Sequence, residues 1–348
     1  MTALERVWYG DSLGARLGRA ALWPAAVGYE AAVRLRGALY DRGMLASISA
    51  SIPVLAVGNV SVGGTGKTPV AAWAVARLRE RGGNPAVVLR GYGDDEPRVH
   101  ELLNPGTTVV CDADRVRGTR TAYAAGADCV VLDDAFQHRR LARTADWVLV
   151  SAERFARATR VLPAGPLREP PTALARADLV IVTCKSASPA VAMTVAERIA
   201  SDIQIGVAIV HLAPSALVDA RDETSRALET LRHMRVVAVA AIGEPEAFFA
   251  QLRALGARDL HAVSFRDHHA FGAADVAHLV RVAASADVVV CTLKDAVKLA
   301  PQWPAGTVPL WYVSQRAEVE RGAELLDASL ALVLAARVST PSTAGAAG

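Results

Sequence analysis

The chain has 348 residues, of which 52% are hydrophobic and only 5% are aromatic. That length suits two domains of ordinary size, and small aliphatic side chains suit parallel sheets covered by helices. The formal net charge of +3 is the difference between 38 basic and 35 acidic residues. So small an excess excludes the charge pattern of a nucleic-acid coat, and we expect no nucleic-acid partner.

The N-terminus and the cysteines both favour a cytoplasmic location. Glu5, Arg6 and Asp11 precede any apolar stretch, so we expect no cleavable signal peptide. The cysteines lack C-x-x-C spacing, and each stands at the end of an apolar run: Cys111, Cys129, Cys184 and Cys291. This pattern predicts buried, reduced thiols rather than disulfides or a metal site.

The segment before residue 45 contains an apolar patch at residues 20–33. The patch is too short to span a bilayer, and Pro24 and Glu30 interrupt it. A helix beginning at Pro24 would have an apolar face formed by Val27, Ala31, Leu35, Ala38 and Leu39. With arginines and aromatic residues around it, such a helix can lie in a membrane interface or pack on the domain core, and composition alone favours the core.

From residue 52 onwards, short apolar runs alternate with helical segments. The runs that we interpret as strands are residues 52–57, 86–89, 108–111, 129–132, 147–150 and 179–183. Residues 70–81 and 117–125 are predicted to be helices between them. This alternation predicts an α/β fold with a parallel, doubly wound sheet.

A second set of elements begins after a polar, helical stretch near residues 190–203. Its predicted strands and helices are residues 236–242, 287–292, 309–313, 246–255 and 273–284. We therefore predict four segments: an N-terminal helix (1–45), a P-loop nucleotide-binding α/β domain (46–203), a second, smaller α/β domain with linker strands (204–335) and a disordered tail (336–348).

The strongest motif follows the first predicted strand and reads Val62-Gly63-Gly64-Thr65-Gly66-Lys67-Thr68. Its glycines free the backbone to wrap an anion, so that successive N–H groups and a helix N-terminus face phosphates. In such a loop Lys67 reaches the β- and γ-phosphates and the Thr68 hydroxyl ligates Mg²⁺. Residues 63–68 are therefore predicted to bind ATP.

A magnesium site needs a second anchor, and two aspartates follow the apolar run at residues 129–132. Asp133 ends this run and can hold the ion directly or through water, with Asp134 beside it. A helix cap and a surface charge are the alternative. The sequence thus predicts that Thr68, Asp133 and Asp134 are the metal-binding residues.

Residues 162–170 contain three prolines and one glycine, a composition that forbids regular structure. Arg168 and Glu169 stand side by side on this stiff loop, where charged residues can contact a substrate or a phosphate. Taken alone, the segment could equally be an ordinary surface turn.

Two acidic or histidine-containing clusters could supply acid–base chemistry. Asp95 and Glu96 follow a turn at residues 90–93, and the run Asp267-His268-His269 follows a strand-like stretch at residues 262–265. An Asp–His pair can take a proton from an attacking hydroxyl, because the carboxylate raises the basicity of the imidazole. Sequence alone does not bring Asp95 and His268 together, and a structural or solvated histidine is the alternative.

Taken in order, these motifs closely resemble the tetraacyldisaccharide 4′-kinase family of lipid A biosynthesis. The resemblance runs from about residue 23 to about residue 312, and its most specific parts are residues 162–170 and the Gln137-His138 pair behind the aspartates. It implies ATP- and Mg²⁺-dependent phosphorylation of the 4′-hydroxyl of a tetraacylated glucosamine disaccharide 1-phosphate. It also implies two α/β domains joined by a two-stranded linker, and an N-terminal helix dipping into the cytoplasmic face of the Gram-negative inner membrane.

The resemblance also implies roles for individual residues. Asp95 would be the catalytic carboxylate and His268 its partner, which together activate the sugar hydroxyl. The remaining active-site positions would be Glu96, Gln137, His138, Arg168 and Glu169. From the resemblance we expect the N-terminal helix to contact the membrane instead of packing on the core.

Two other functions fit parts of the pattern. A membrane-associated P-loop ATPase that switches conformation to regulate a partner would need neither Asp95 nor His268. A P-loop kinase acting on a small soluble metabolite would have no obvious use for a basic, apolar N-terminal helix. The joint order of the motifs favours the lipid kinase.

Overall fold

The computed structural model describes residues 3–91, 95–257 and 259–337. Part of the predicted 90–93 turn, and the predicted tail beyond residue 337, lie outside these ranges. The helices within them are α1 (Ala3–Tyr9), α2 (Leu13–Asp41), α3 (Lys67–Glu80), α4 (Asp95–Leu103), α5 (Arg115–Ala124), α6 (Pro189–Ile203), α7 (Pro245–Ala254), α8 (Ala273–Val282), α9 (Leu293–Leu299) and α10 (Ala323–Ala335). The strands are β1 (Val54–Asn59), β2 (Pro85–Leu89), β3 (Val109–Cys111), β4 (Cys129–Asp133), β5 (Ala145–Ser151), β6 (Leu179–Cys184), β7 (Val207–Asp219), β8 (Ser225–Arg226), β9 (Arg235–Ala240), β10 (Asp259–Ser264), β11 (Val288–Thr292) and β12 (Leu310–Arg321).

These strands form one continuous sheet. Its order is β10-β9-β11-β12-β7-β6-β5-β1-β4-β2-β3, with β8 beside β7. Every pairing is parallel except β7 with β12 and β7 with β8. The predicted mostly parallel α/β fold is confirmed, and the order places the end of β1 between the ends of β4 and β5.

The two long strands β7 and β12 lie side by side in the middle of the sheet and connect its two sides. β7 starts parallel to β6, while β12 starts parallel to β11, and the two are antiparallel to each other over most of their length. We call strands β1–β6 with their helices the P-loop side, and β9–β11 with α7–α9 the distal side. The predicted domain boundaries at residues 46–203 and 204–335 stay a prediction.

The sheet is buried on both faces on the P-loop side. All residues of β1, β2, β4 and β6 are buried, which explains why these strands appear in the sequence as unbroken apolar runs. Trp147 and Leu149 of β5 pack with Leu78 of α3 in one core cluster, and Phe136 and Leu167 belong to the cluster on the opposite face. Close packing on both faces fixes where the strand ends lie.

The N-terminal helix differs from the prediction, which began it at Pro24. α2 starts at Leu13, where the Ser12 hydroxyl accepts a hydrogen bond from the Ala15 N–H. Pro24 lies inside the helix and is exposed together with Ala20, whose carbonyl it leaves without an intrahelical donor, so water can satisfy that carbonyl. The helix is therefore 29 residues long.

One face of α2 is attached to the rest of the chain. The Tyr29 hydroxyl donates to the Arg168 carbonyl at 2.9 Å, and Arg139 donates to the Gly37 carbonyl at 3.1 Å. The predicted apolar face is not this attached face: Val27, Ala31 and Leu35 are exposed, while Ala38 and Leu39 are partly buried. No helix of the described residues is both long and apolar enough to cross a membrane.

The prediction that all four cysteines are buried is wrong for one of them. Cys129, Cys184 and Cys291 lie in the core, whereas Cys111 is exposed. Cys111 ends β3, which is the last strand at its edge of the sheet, so the core covers it incompletely.

Gly58, near the end of β1, packs closely against the loop after β4. A β-carbon at this position would lie 2.5 Å from the backbone nitrogen of Phe136. We expect Gly58→Ala to lower the free energy of unfolding by ~1–3 kcal/mol, because overpacking forces the backbone to move. Urea unfolding measures this.

Gly28→Ala in α2 is the matched control. Among the residues that the structure describes, a β-carbon at this helical position would meet no atom within 4 Å outside the helix's own backbone. We expect this variant to be unchanged or more stable by up to ~1 kcal/mol. Equal stability of Gly58→Ala and the parent chain would contradict the close contact between β1 and the loop after β4.

Candidate active site

The phosphate-binding loop connects β1 to α3. Gly66 precedes α3 with φ of 82°, and a β-carbon there would lie 2.1 Å from Leu212 Cδ1, so only glycine fits. The Asn59 side chain donates to the Ser61 carbonyl at 2.7 Å and to the Thr65 hydroxyl at 2.9 Å. The strand, the loop and the helix that confirm a P-loop are thus all present.

Lys67 and Thr68 begin α3 and face the end of β4. The Thr68 hydroxyl donates to Asp133 Oδ2 at 3.0 Å, and Lys67 Nζ lies 3.6 Å from Asp134 Oδ1. Burial lowers the pKa of Lys67, and the negative charge of Asp134 opposes this lowering. The P-loop residues after β1 and the aspartates at the end of β4, which are the two predicted parts of a nucleotide and metal site, therefore meet at the carboxyl ends of neighbouring strands.

A buried histidine that sequence reasoning missed also contacts this carboxylate. His100 Nε2 lies 3.0 Å from Asp133 Oδ2, and the histidine side chain is fully buried. Burial alone would raise the pKa of Asp133, but the hydrogen bond from His100 and the charges of Lys67 and Lys294 outweigh it and lower that pKa. The acidic first turn of α4 indicates a helix start, but it does not indicate that His100 contacts Asp133.

Asp133 satisfies a further condition for holding a hard cation. Its second oxygen, Oδ1, is buried and has no hydrogen-bond partner among the residues that the structure describes. A carboxylate oxygen beside a threonine hydroxyl is the donor set that Mg²⁺ accepts, with phosphate oxygens and water completing the shell. The residues present therefore fit the predicted ion.

The loop at residues 162–170 packs against the P-loop and is not an ordinary surface turn. The Val62 N–H donates to the Pro166 carbonyl at 2.8 Å, and the Arg168 N–H donates to the Val60 carbonyl at 2.7 Å. Leu167 between them is fully buried. These bonds hold the loop beside the phosphate-binding backbone.

The side chains of this loop meet the segment after β4. Arg168 Nη1 donates to both oxygens of Asp134 at 3.0 and 3.1 Å. Gln137 donates to Glu169 Oε1 at 3.0 Å, and Arg176 pairs with the same carboxylate at 2.6 Å. Arg168, Glu169, Gln137 and Asp134 are thus brought together.

His138 is turned away from this group. Its Nε2 is buried and lacks a hydrogen-bond partner within the described ranges. Burial, with the positive charges of Arg115 and Arg143, lowers the pKa of His138 from 6.5 to about 4. The structure therefore gives His138 a neutral ring beside arginines rather than a contact with the phosphate loop.

The two residues predicted to activate the acceptor lie at the junction with the distal side. Asp95 is buried at the start of α4, and its Oδ2 lies 3.1 Å from Lys298 Nζ. His268 is exposed, has a φ of 58° and lies 3.9 Å from Asp267. No hydrogen bond or ion pair joins Asp95 to His268 in the described chain, so their pairing stays a prediction.

Glu96 and α9 complete this junction. Glu96 Oε1 lies 4.0 Å from Lys294 Nζ. Burial raises the pKa of Glu96; the positive charges of Lys294 and His268 oppose this rise.

The strand β6 supplies two more residues that sequence reasoning missed. Lys185 Nζ donates to the Gly64 carbonyl, and the Thr183 hydroxyl donates to the Thr65 carbonyl at 2.8 Å. Both contacts support the outer edge of the P-loop. Thr183 lies near the end of the apolar strand β6 and Lys185 directly follows it, at the same edge of the sheet, and this position was the signal that could have found them.

Because the pKa of His138 is below that of a free histidine, His138 should give the protein a characteristic pH dependence. The unfolded chain binds this proton more readily, so stability is full above pH 6.5 and declines as the pH falls toward 4. The parent chain should lose free energy of unfolding between pH 7.5 and pH 5. In His138→Gln we expect this loss to be smaller by on the order of 1 kcal/mol, a figure reduced because the ring is partly exposed. Urea unfolding of both proteins at the two pH values measures the difference, and identical losses would contradict the buried neutral ring.

Comparison with known proteins shows the family to which the chain is similar. The family model described as "Tetraacyldisaccharide-1-P 4'-kinase" matches residues 18–333. A tetraacyldisaccharide 4′-kinase of Anaeromyxobacter dehalogenans (strain 2CP-C) is 40% identical, and the match covers 95% of each chain. The enzyme of the same name from Halorhodospira halophila is 38% identical over 91% of this chain and 93% of the relative.

A solved structure shares the fold. It is the "apo" form of LpxK from Aquifex aeolicus in complex with ATP, with a TM-score of 0.71 and 23% sequence identity over 92% of this chain and 99% of that one. At that identity the likeness concerns the fold alone. The family model and the relatives, in contrast, each match most of the sequence, and the chain belongs to the tetraacyldisaccharide-1-P 4′-kinase family.

Proposed function

We propose that this chain transfers the γ-phosphoryl group of ATP to the 4′-hydroxyl of tetraacyldisaccharide 1-phosphate, the lipid A precursor. The observation that carries this proposal is the contact of Thr68 and Lys67 with the aspartates at the end of β4, in a chain of this family. Family membership favours the kinase over an ATPase switch that makes no phosphorylated product.

The nucleotide half of the site uses the P-loop. The backbone N–H groups of residues 63–68 and the start of α3 wrap the phosphates, and Lys67 adds a positive charge. Thr68 and Asp133 would hold Mg²⁺, which when bound neutralises phosphate charge. Asp134 stays with Arg168 and Lys67, so it would order these cations rather than contact the metal.

The acceptor half uses the carboxylates at the start of α4. Asp95 takes the proton of the 4′-hydroxyl as that oxygen bonds to the γ-phosphorus, while the bond from phosphorus to the bridging oxygen breaks and ADP leaves with the electron pair. Lys67 and Arg168 stabilise the charge of the transferred group. We keep His268 as the partner of Asp95 because Lys298, which pairs with Asp95, also donates to the carbonyl of the adjacent His269.

Substitutions in the acceptor half and in the nucleotide half of the site should have different effects on kcat and on ATP binding. We expect Asp95→Asn and His268→Gln to lower kcat by roughly 10²-fold or more, with the Kd for ATP unchanged within about twofold, because neither touches the P-loop. Lys67→Met should weaken both kcat and ATP binding. Radiolabelled ATP, Mg²⁺ and the disaccharide 1-phosphate in detergent measure transfer, and calorimetry measures ATP binding.

Three outcomes would count against this assignment. ATP hydrolysis without labelled lipid would favour the switch. Efficient labelling of a small soluble metabolite would favour a different kinase. Full activity of both Asp95→Asn and His268→Gln would remove the proposed base and its partner.

We also propose that α2 lies in the interface of the cytoplasmic face of the inner membrane. Apolar residues recur every three or four positions along its exposed face: Leu13, Leu17, Ala20, Pro24, Val27, Ala31 and Leu35. Leu13 is 72% exposed and Leu35 is 60% exposed, although both are large apolar residues. The exposed cations of Arg16 and Arg36 beside this face suit anionic headgroups.

This arrangement suits a lipid substrate. Tyr29 of α2 is hydrogen-bonded to the carbonyl of Arg168, whose side chain contacts Asp134 near the P-loop. A helix lying in the interface would therefore keep the active site close to acyl chains that remain in the bilayer. No nucleic-acid partner is proposed.

Charge substitution on the apolar face tests the membrane contact. We expect Val27→Glu with Leu35→Glu to weaken sedimentation with phosphatidylglycerol and phosphatidylethanolamine vesicles by at least ~10-fold, because two apolar contacts are replaced by charges. Val191→Glu with Leu332→Glu is the matched control, since these residues are 45% and 55% exposed on α6 and α10. Equal sedimentation of both double variants would contradict α2 as the contact.

A further inference from the structure

Two lysines of α9 reach across from the distal side to the start of α4. Lys298 Nζ lies 3.1 Å from Asp95 Oδ2, and Lys294 Nζ lies 4.0 Å from Glu96 Oε1. Residues four apart share one face of a helix, so α9 presents both cations to the two carboxylates at once. This contact joins elements that are about two hundred residues apart in the sequence.

The Lys298–Asp95 contact is the more buried of the two. Its side chains are 16% and 6% exposed, against 36% and 23% for Lys294 and Glu96. A carboxylate with so little access to water depends on its partner, because removal of one member of a buried pair leaves an uncompensated charge. The contact is an ion pair rather than an aligned hydrogen bond, so Asp95 Oδ2 can still accept a hydrogen bond from a hydroxyl.

Lys298 also contacts the segment that carries the predicted histidine. Its Nζ donates to the His269 carbonyl at 3.4 Å. One ammonium group therefore lies against both sequence segments that are assigned to the acceptor, the start of α4 and the residues around His268. Asp95 and His268 themselves share no such contact within the ranges that the structure describes.

We propose that Lys298 is a positioning residue for Asp95: it holds the carboxylate oriented for the acceptor hydroxyl, and it keeps the segment containing His268 beside it. The inference rests on the proposed function, because it assigns a purpose to the acceptor half of that site. It also makes the distal side part of the active site, although all nucleotide-binding residues lie on the P-loop side.

A double-mutant cycle in the full chain tests this role. We expect Lys298→Met to lower kcat for lipid phosphorylation by on the order of 10- to 100-fold, with the KM for ATP nearly unchanged, because the base is misplaced while the P-loop is intact. Lys298→Arg, which keeps the charge, should recover most of the loss. In an Asp95→Asn background, Lys298→Met should change kcat by less than about twofold, because it acts through Asp95.

Lys294→Met is the internal control. Its partner is Glu96, so we expect the same change in kcat in the parent and Asp95→Asn backgrounds. An equal loss from Lys298→Met in both backgrounds, or no recovery in Lys298→Arg, would overturn the inference and leave the proposed function standing. If the parent chain itself made no phosphorylated lipid, the proposed function would be overturned and the inference with it.

Discussion

The carboxylate of Asp133 has to be held out of water where a parallel strand ends, beside a loop that wraps an anion. The buried strands around β4 place it there, and burial alone would favour its neutral form. Hydrogen bonds from Thr68 and His100 and the charge of Lys67 oppose that effect. The charged state of the site therefore depends on side chains from β4, α3 and α4 packing in one place.

Several other elements of the chain contact the residues around Asp133 or support the P-loop beside it. The loop at residues 162–170 brings Arg168 to Asp134, and the segment after β6 supports the P-loop backbone. The long strands β7 and β12 join the distal side to the same sheet, and α9 from that side contacts α4. A site lined by several cations suits phosphoryl transfer, since catalysis of that reaction is mainly positioning and charge stabilisation.

Much of the P-loop side was predictable, because its strands are buried on both faces and its loop has a glycine spacing that few other structures require. The bounds of β7 were missed because it is only partly buried and because His211, Pro214 and Ser215 interrupt its apolar residues. α10 was missed as well, although it packs on the P-loop side through Leu326 and Leu330. The start of α2 was misplaced because Pro24 was interpreted as a helix start.

The contacts of the site were less predictable than its residues. Lys67, Thr68 and Asp133 could be named from their motifs, because local backbone geometry determines what they do. His100 and Lys298 could not, since each depends on a packing contact between distant segments. Spacing in a sequence gives no information about such contacts unless the helices that carry them have been placed.

The most direct test of the account is the position of the new phosphate. We would incubate the chain with ATP, Mg²⁺ and tetraacyldisaccharide 1-phosphate in detergent, recover the lipid and record its phosphorus NMR spectrum with correlation to sugar protons. The account predicts a second phosphomonoester signal coupled to the proton at the 4′ carbon, absent with Lys67→Met. A lipid that still carries only the 1-phosphate, while ADP and inorganic phosphate accumulate, would contradict it.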